Sequence, residues 1–513
     1  QSLLTSNGGS DIFVVKYNAD RTLSWVVGLG GTSTDYGRAI SVDASGNVLV
    51  TGEFRNTVDF DPGAGNTATS TVTGSGGAPD VFILKLTSTG QFVWVKSVGS
   101  DSVDTSLDIA TRNNEVYVVG EFSGTIDLNP GTGTFNLTST PNANPSAEPV
   151  DGFLLKLASN GDFVFANQAG GTADDHFNSV AVASDGSVVV TGQFQTAANF
   201  NPLGASQNVT ADSNSTDAFV SRYNSSGQFQ WVRTFGDFTT DSGTGIGVDA
   251  DGNIYATGYY FGTVDGDPGA GTRNLVSAGG FDVYLVSLNS AGEHRWSTRA
   301  GSSNFDEPRG MAVDGDGNVY VTGWFEGTAE FNPDGQSETR TSVGNDDIFA
   351  ARYSSSGTLD WVRALGGTAA DNAYGIAVAP DGAVYIGGTF QGTLDADPGP
   401  GTDTITHTGS EDGLIVRFEQ PAPITNQAPV IDPIADRMID EGVTLQFTAT
   451  ATDADAGQAV TWSLDAGAPS GMTIHPTTGL LNWLPTETQG PGVFTITVRA
   501  TDNGSSPFSD SRS

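Results

Sequence analysis

Acidic residues recur in this chain at spacings that suit a hard cation. The phrase Asp59-Phe-Asp61-Pro-Gly returns as Asp127-Leu-Asn129-Pro-Gly, Asn199-Phe-Asn201-Pro, Asp265-Gly-Asp267-Pro-Gly, Glu330-Phe-Asn332-Pro and Asp395-Ala-Asp397-Pro-Gly. As chemistry, Asp59, Asp61, Asp265, Asp267, Asp395 and Asp397 are candidate ligands for a ring of Ca²⁺ sites, since Ca²⁺ gathers about six to eight oxygen ligands. As architecture, the same residues cap a turn whose geometry Pro-Gly sets. Asn at half of the second positions weakens a charge-based site and favours the turn. A further series, Asp35, Asp104, Asp174, Asp241, Asp306 and Asp371, would either line a binding funnel or hydrogen-bond between repeats. Its regular recurrence favours the second.

Aromatic and basic residues recur in the same way. Trp25, Trp94, Trp231, Trp296 and Trp361, with Phe165 in one copy, read as packing between repeats, because each repeat needs one. Trp324 breaks that register: other copies carry Glu53, Glu121, Gln193, Tyr259 and Thr389 there, which makes Trp324 a candidate ligand contact. Residues 16, 85, 156, 222, 352 and 417 are Lys or Arg at one strand position and are expected to pair with the Asp nearby. The turn Asp249-Ala-Asp251-Gly252-Asn253 and its copy at Asp314 begin like an EF-hand loop but lack its closing Glu and flanking helices, so they read as β-turns. No Gly-x-Ser-x-Gly elbow, phosphate loop or His-Glu-x-x-His is present, and no catalytic residue is assigned.

Composition narrows the partners. The net charge is −38, from 21 basic and 59 acidic residues. Such a surface repels nucleic acid and anionic lipid, which are bound through Lys and Arg. With no Cys there is no disulfide or thiolate site, and the four scattered His make a His-rich metal centre improbable. No apolar run is long enough for direct insertion into a membrane.

The elements that carry these residues repeat. Asp-x-Phe or a close variant begins at Asp11, Asp80, Asp151, Asp217, Asp282, Asp347 and Asp412, followed by Lys or Arg in all copies but that at Asp282, with a period of about 65–71 residues. One unit reads as four short antiparallel strands: Ala39–Asp43, Val48–Phe54, Val81–Leu86 and Phe92–Lys96, joined by Gly and Asn turns. The inner strand, Ile40/Leu107/Val180/Ile246/Met311/Ile376, occurs six times and the third strand seven times. Four-stranded units around an axis form a β-propeller. Seven blades in the parent protein is the reading, with six closed blades as the rival. Gln1 to Asp11 align with the middle of a repeat, so the first blade is expected to be truncated and the chain to belong to something longer.

The propeller, residues 1–419, resembles the SBBP-type repeats of bacteria through Ile-Ser-Val-Asp43, Val-Thr-Gly52-x-Phe54, Asp59-Phe-Asp-Pro-Gly63 and Asp80-x-Phe to Trp94. That resemblance implies a part of a large secreted or surface protein. A Pro-rich linker is expected at 420–429, followed by alternating strands over 430–513 that suit an immunoglobulin-like β-sandwich. Asp440-Glu441-Gly, Ala451-Thr-Asp453-Ala-Asp455, Trp483-x-Pro485 and Arg499-Ala-Thr-Asp502 resemble the putative-Ig and dystroglycan-type cadherin-like repeats. Carried over from that likeness, Glu441, Asp453, Asp455 and Asp502 are candidate Ca²⁺ ligands; Asp453 to Gly457 also makes a respectable turn.

The fold expectation is all-β: a β-propeller followed by an Ig/cadherin-like β-sandwich. The functional expectation is a non-enzymatic secreted or cell-surface scaffold for adhesion or ligand binding, with a carbohydrate or protein partner and Ca²⁺. The alternative is a Ca²⁺-dependent hydrolase or lyase acting on polysaccharide at the propeller funnel.

Overall fold

The computed structural model describes residues 4–61, 71–74, 77–141, 149–212, 215–397, 399, 401–420, 428–453, 459–503 and 508–513, without side chains at 71–73. Most of the expected linker, 421–427, lies outside the described residues. The chain divides into two compact units, Gln1–Phe418 and Glu419–Ser513. No α-helix forms among the described residues.

The first unit is a succession of antiparallel sheets. Sheet 1 has two strands, Ile12–Tyr17 and Leu23–Leu29. Sheet 2 has four, in the spatial order Tyr36–Val42, Val48–Phe54, Asp80–Leu86 and Phe92–Val98. Sheets 3 to 6 repeat that order, with inner strands Asp104–Arg112, Asp175–Val182, Ser242–Val248 and Asp306–Val313. Sheet 7 has three strands, Asp371–Val378, Val384–Phe390 and Asp412–Phe418. This is the all-β propeller-blade construction that the period implies. Two local readings need correction. Cross-strand register pairs Ile109 with Val118, as it pairs Ile40 with Val50, so Ile109 and not Leu107 holds the inner-strand position; the turn at Asn113-Asn114, both at positive φ, is shorter than its counterparts. Each Pro-Gly loop also contains a short hairpin that the turn residues hide, such as Thr125–Asp127 with Asn136–Thr138.

One joint holds successive sheets together. The forward face of each sheet packs on the backward face of the next: Val14 joins a cluster with Phe82 and Leu84, and Ile83 one with Phe153 and Leu155. The Trp indoles bolt this joint. Nε1 of Trp25, Trp94, Trp231 and Trp296 donates to the carbonyls of Ser88, Ser159, Ser290 and Ser355 in the turn of the following sheet. Those turns come close because they use glycine at positive φ; a Cβ on Gly357 would sit 2.6 Å from Trp296. The basic residues reach the same carbonyls, as Lys16 does at Ser88 and Lys85 at Ser159. Their carboxylate partners are not the Asp of the Asp-x-Phe phrase: Lys85 pairs with Asp43 at 2.8 Å, Lys156 with Glu115 at 2.9 Å and Arg222 with Asp185 at 2.8 Å. Burial alone would raise the Asp43 carboxyl, but hydrogen bonds from Lys85 and Asn47 hold it at about 2.

The second unit builds a small core from Ile431, Ala449, Trp462, Leu481, Val498 and Ala500. Leu445–Thr448 and Thr473–Ile474 flank Leu480–Trp483, while Val498–Thr501 lies between Thr461–Leu464 and Ser509–Arg512. The alternation Phe494-Thr-Ile-Thr-Val498 reads as a strand, but the paired strand is Val498–Thr501, where Arg499 also donates to Asp465 in a two-pronged pair at 2.8 and 2.7 Å.

Candidate ligand-binding surface

The acidic loop residues are already engaged with backbone. Oδ1 of Asp265 accepts the amides of Asp267 and Arg273, and Asp395 treats Asp397 and Asp403 alike. Asp267 and Asp397 cap Gly269 and Gly399, and Asp59 accepts the Asp61 amide. Asn199 makes the same two bonds without a charge, to Asn201 and Gln207. In the second unit the Glu441 carboxylate lies against Gly490, and buried Asp502 accepts the Phe508 amide at 3.0 Å. Asp453 follows Ala451–Thr452, so the extended run from Leu445 separates it from Glu441 along the chain; Asp455 lies outside the described residues. Among the described residues no three acidic or His side chains converge on one point. At Asp249 and Asp314, Oδ1 caps a tight turn through positive-φ Gly252 and Gly317.

The funnel series needs one correction: its third member is Asp175, not Asp174. Asp175 accepts the amides of Gly171 and Gln195, as Asp35 accepts those of Gly31 and Arg55. The adjacent Asp174 obscured this in the sequence. With Asp175 in place, each of the first six Asp-x-Phe aspartates has a partner the same distance along the chain: Asp11 and Asp35, then 80 and 104, 151 and 175, 217 and 241, 282 and 306, 347 and 371. These side chains tie the exit of one sheet to the next. Burial dominates their ionisation, pushing Asp104, Asp241, Asp282 and Asp347 up to about 7 and Asp175 to about 8, and the negative partner adds to each shift.

The departure from repetition is aromatic. Tyr259, Phe261, Phe281 and Phe305 converge where sheets 5 and 6 meet. Ring centroids are 4.9 Å apart for Tyr259 and Phe281, 6.4 Å for Phe261 and Phe281, and 5.5 Å for Phe281 and Phe305. Other repeats place Thr34, Val103, Asp174, Thr240 and Ala370 at the Phe305 position, and Arg55, Ser123, Gln195, Glu326 and Gln391 at the Phe261 position. The blade therefore does not need these rings. Phe305 is 51% exposed, and Phe238, on a loop held to Phe261 by the Thr239 hydroxyl, is 74% exposed. Trp324 joins this region through Glu307, its direct cross-strand partner, which also acts electrostatically on Tyr259. Burial raises the Glu307 carboxyl, Arg309 at 2.7 Å opposes that rise, and Asp346 reinforces it. Flat apolar rings beside carboxylates suit a ligand with both C–H faces and hydroxyl groups. Trp324 was visible in sequence as a broken column; Phe261, Phe281 and Phe305 break columns too, in loops where the alignment is harder to draw.

Residues 295–324 match the β-propeller repeat family and residues 428–513 match the putative Ig domain family. SBBP-type propeller repeats followed by an Ig-like domain are thus what this chain contains. It is 25% identical over 452 residues to an uncharacterized WD repeat-containing protein of Acanthamoeba polyphaga mimivirus, covering 75% of this chain and 32% of that protein. It is 26% identical over 324 residues to the regulatory protein FlaEY of Caulobacter vibrioides, covering 60% of this chain and 32% of that protein. The chain spans about a third of the length of these relatives. A solved protein of unknown function from Bacteroides caccae aligns with 69% of this chain and 93% of its own at 9% identity, with a TM-score of 0.31.

Proposed function

We propose that the chain is a non-enzymatic, extracellular adhesion module whose propeller presents the Tyr259–Phe261–Phe281–Phe305 surface to carbohydrate, with Ca²⁺ bound at the acidic positions of the Ig-like unit. Propeller repeats joined to an Ig-like domain support the broader role in interaction or adhesion. The observation that carries the ligand reading is the exposure of rings where other repeats place mostly polar or small residues. Sugar rings stack on such faces, while Glu307 and Asp346 supply acceptors for hydroxyl groups. The shortage of Lys and Arg argues against phosphate esters.

A glycan array with the full chain tests this. The expected result is binding to a defined set of neutral or amino sugars, weakened at least tenfold by Phe281→Ala. Binding only to proteins, or glycan binding untouched by Phe281→Ala, would contradict it. Release of products from a bound polysaccharide would favour the hydrolase or lyase reading. Calorimetric titration tests the metal: Ca²⁺ uptake and a melting temperature lowered by EDTA are expected, and neither would appear if the acids serve only as turns.

A further inference from the structure

The joint between sheets 5 and 6 has two unlike walls, built at the same register positions. The ladder of sheet 5 reaches Tyr260 opposite Asp282, so Phe261 and Phe281 oppose each other one step beyond it, with ring centroids 6.4 Å apart. The ladder of sheet 6 reaches Phe325 opposite Asp347, which sets Glu326 opposite Asp346 at the same step. Elsewhere that step carries Arg55 with Pro79, Ser123 with Val150, and Gln195 with Thr216. Two steps back along the strand, sheet 5 pairs Ser242 with Tyr259, and sheet 6 pairs Glu307 with Trp324. Asp306 ties the walls together: its amide donates to the Phe281 carbonyl at 2.7 Å, and its Oδ1 accepts the Glu326 amide at 3.3 Å.

Like charges directly opposite across strands are destabilising. Glu326 and Asp346 are both half-buried, and among the described residues neither carboxylate has an ion pair or a hydrogen bond. Burial raises the Asp346 carboxyl, and Glu326 adds to the rise. The guanidinium at this end of sheet 6, Arg309, is taken by Glu307 at 2.7 Å. The fold therefore brings two carboxylates together without compensation, next to rings that no blade requires. A Ca²⁺ ion would need about six to eight oxygen ligands, and among the described residues no three acidic or His side chains meet. An ammonium group needs less: ring faces attract it, and its three N–H groups take carboxylate oxygens.

We propose that the sugar taken by this surface carries a free amine, held as an ammonium by Glu326 and Asp346 while the sugar ring lies on Phe281 and Phe305. This rests on the carbohydrate reading above and narrows it: sheet 5 supplies the stacking wall and sheet 6 the charge that selects. The exposed, flat Phe305 ring matches the C–H face of a pyranose better than the flexible stem of a lysine. Acetylating the amine removes its charge and leaves the stacking face intact, so the two walls can be tested apart.

Calorimetric titration of the full chain with a β-1,4-linked glucosamine tetramer and with its fully N-acetylated form makes that test, at about pH 6 and 0.15 M salt. The free-amine tetramer is expected to bind at least about tenfold more tightly. Glu326→Gln combined with Asp346→Asn should abolish the difference and leave the affinity for the acetylated form unchanged. Asp251→Asn combined with Asp316→Asn removes the same charge from two exposed turns and should keep the difference. If the turn pair also abolished it, net charge alone would be attracting the amine, and the proposal would be overturned. Tighter binding of tetralysine than of either sugar would overturn it as well. Equal affinity for the two tetramers, both weakened by Phe281→Ala, would overturn the amine assignment and leave the carbohydrate reading standing. So would binding of neither tetramer while other glycans still bind; if no glycan binds at all, both readings fall.

Discussion

At the scale of single residues, several of the aspartates that tie one sheet to the next have their carboxyls pushed above the usual carboxylate range by burial. Asp104, Asp241, Asp282 and Asp347 reach about 7 and Asp151, Asp217 and Asp306 about 6. Above roughly pH 4 the unfolded chain has released protons that the folded chain keeps, so folding takes up protons in that window. Stability should therefore be highest near pH 4 or just below and fall as the pH rises to about 8. Below that optimum the loss of Asp43, held at about 2, works in the other direction. Melting of the full chain across this range checks the sign, and a melting temperature that climbs from pH 5 to 8 would refute it. Asp282→Asn should flatten the fall, because one buried group no longer ionises. The sequence shows the spacing within these pairs only once Asp175 replaces Asp174; a doublet of identical residues hides which one the backbone uses.

At the scale of elements, the Pro-Gly loops and the Trp bolts make separate predictions. Asp265→Asn should change stability by less than about 0.5 kcal/mol, since Asn199 makes the same two backbone bonds elsewhere. Asp265→Ala should cost about 1–2 kcal/mol, because two amides lose their acceptor. Denaturant titration separates the two, and equal losses would mean that charge, not capping, matters in the loop. Trp231→Phe removes the bond to Ser290 and should cost roughly 1 kcal/mol. Strand order and turns were legible because nearly every copy repeats the same alternation and the same Gly-bearing turn, the Asn113-Asn114 turn and the turn at Arg21 being the exceptions. The short hairpins in the loops were not, since three-residue strands among Gly, Pro and Thr have no periodicity to read. In the second unit the apolar alternation begins at Phe494, four residues before the ladder with Thr461–Leu464 begins at Val498, so the sequence places the strand early.

At the scale of the whole molecule, repetition and its interruption sort structure from function. A residue present in every blade serves the blade, as the Trp series does. A residue that departs from its column is free for recognition, and Tyr259, Phe261, Phe281, Phe305 and Trp324 depart together. The surplus of acids also destabilises the compact chain by self-repulsion, so the melting temperature should rise with ionic strength between about 0.01 and 0.5 M salt. A fall over that range would show that favourable ion pairs outweigh the net charge. The most direct measurement pairs melting with glycan binding for two substitutions. Phe305→Ala, at an exposed interruption, should leave melting within about a degree of the parent and remove binding. Trp231→Ala, at a repeated joint, should cost about 3 kcal/mol and leave the affinity of the folded protein unchanged. If binding instead follows Trp231 and ignores Phe305, the division between repeated scaffold and aromatic recognition surface is wrong.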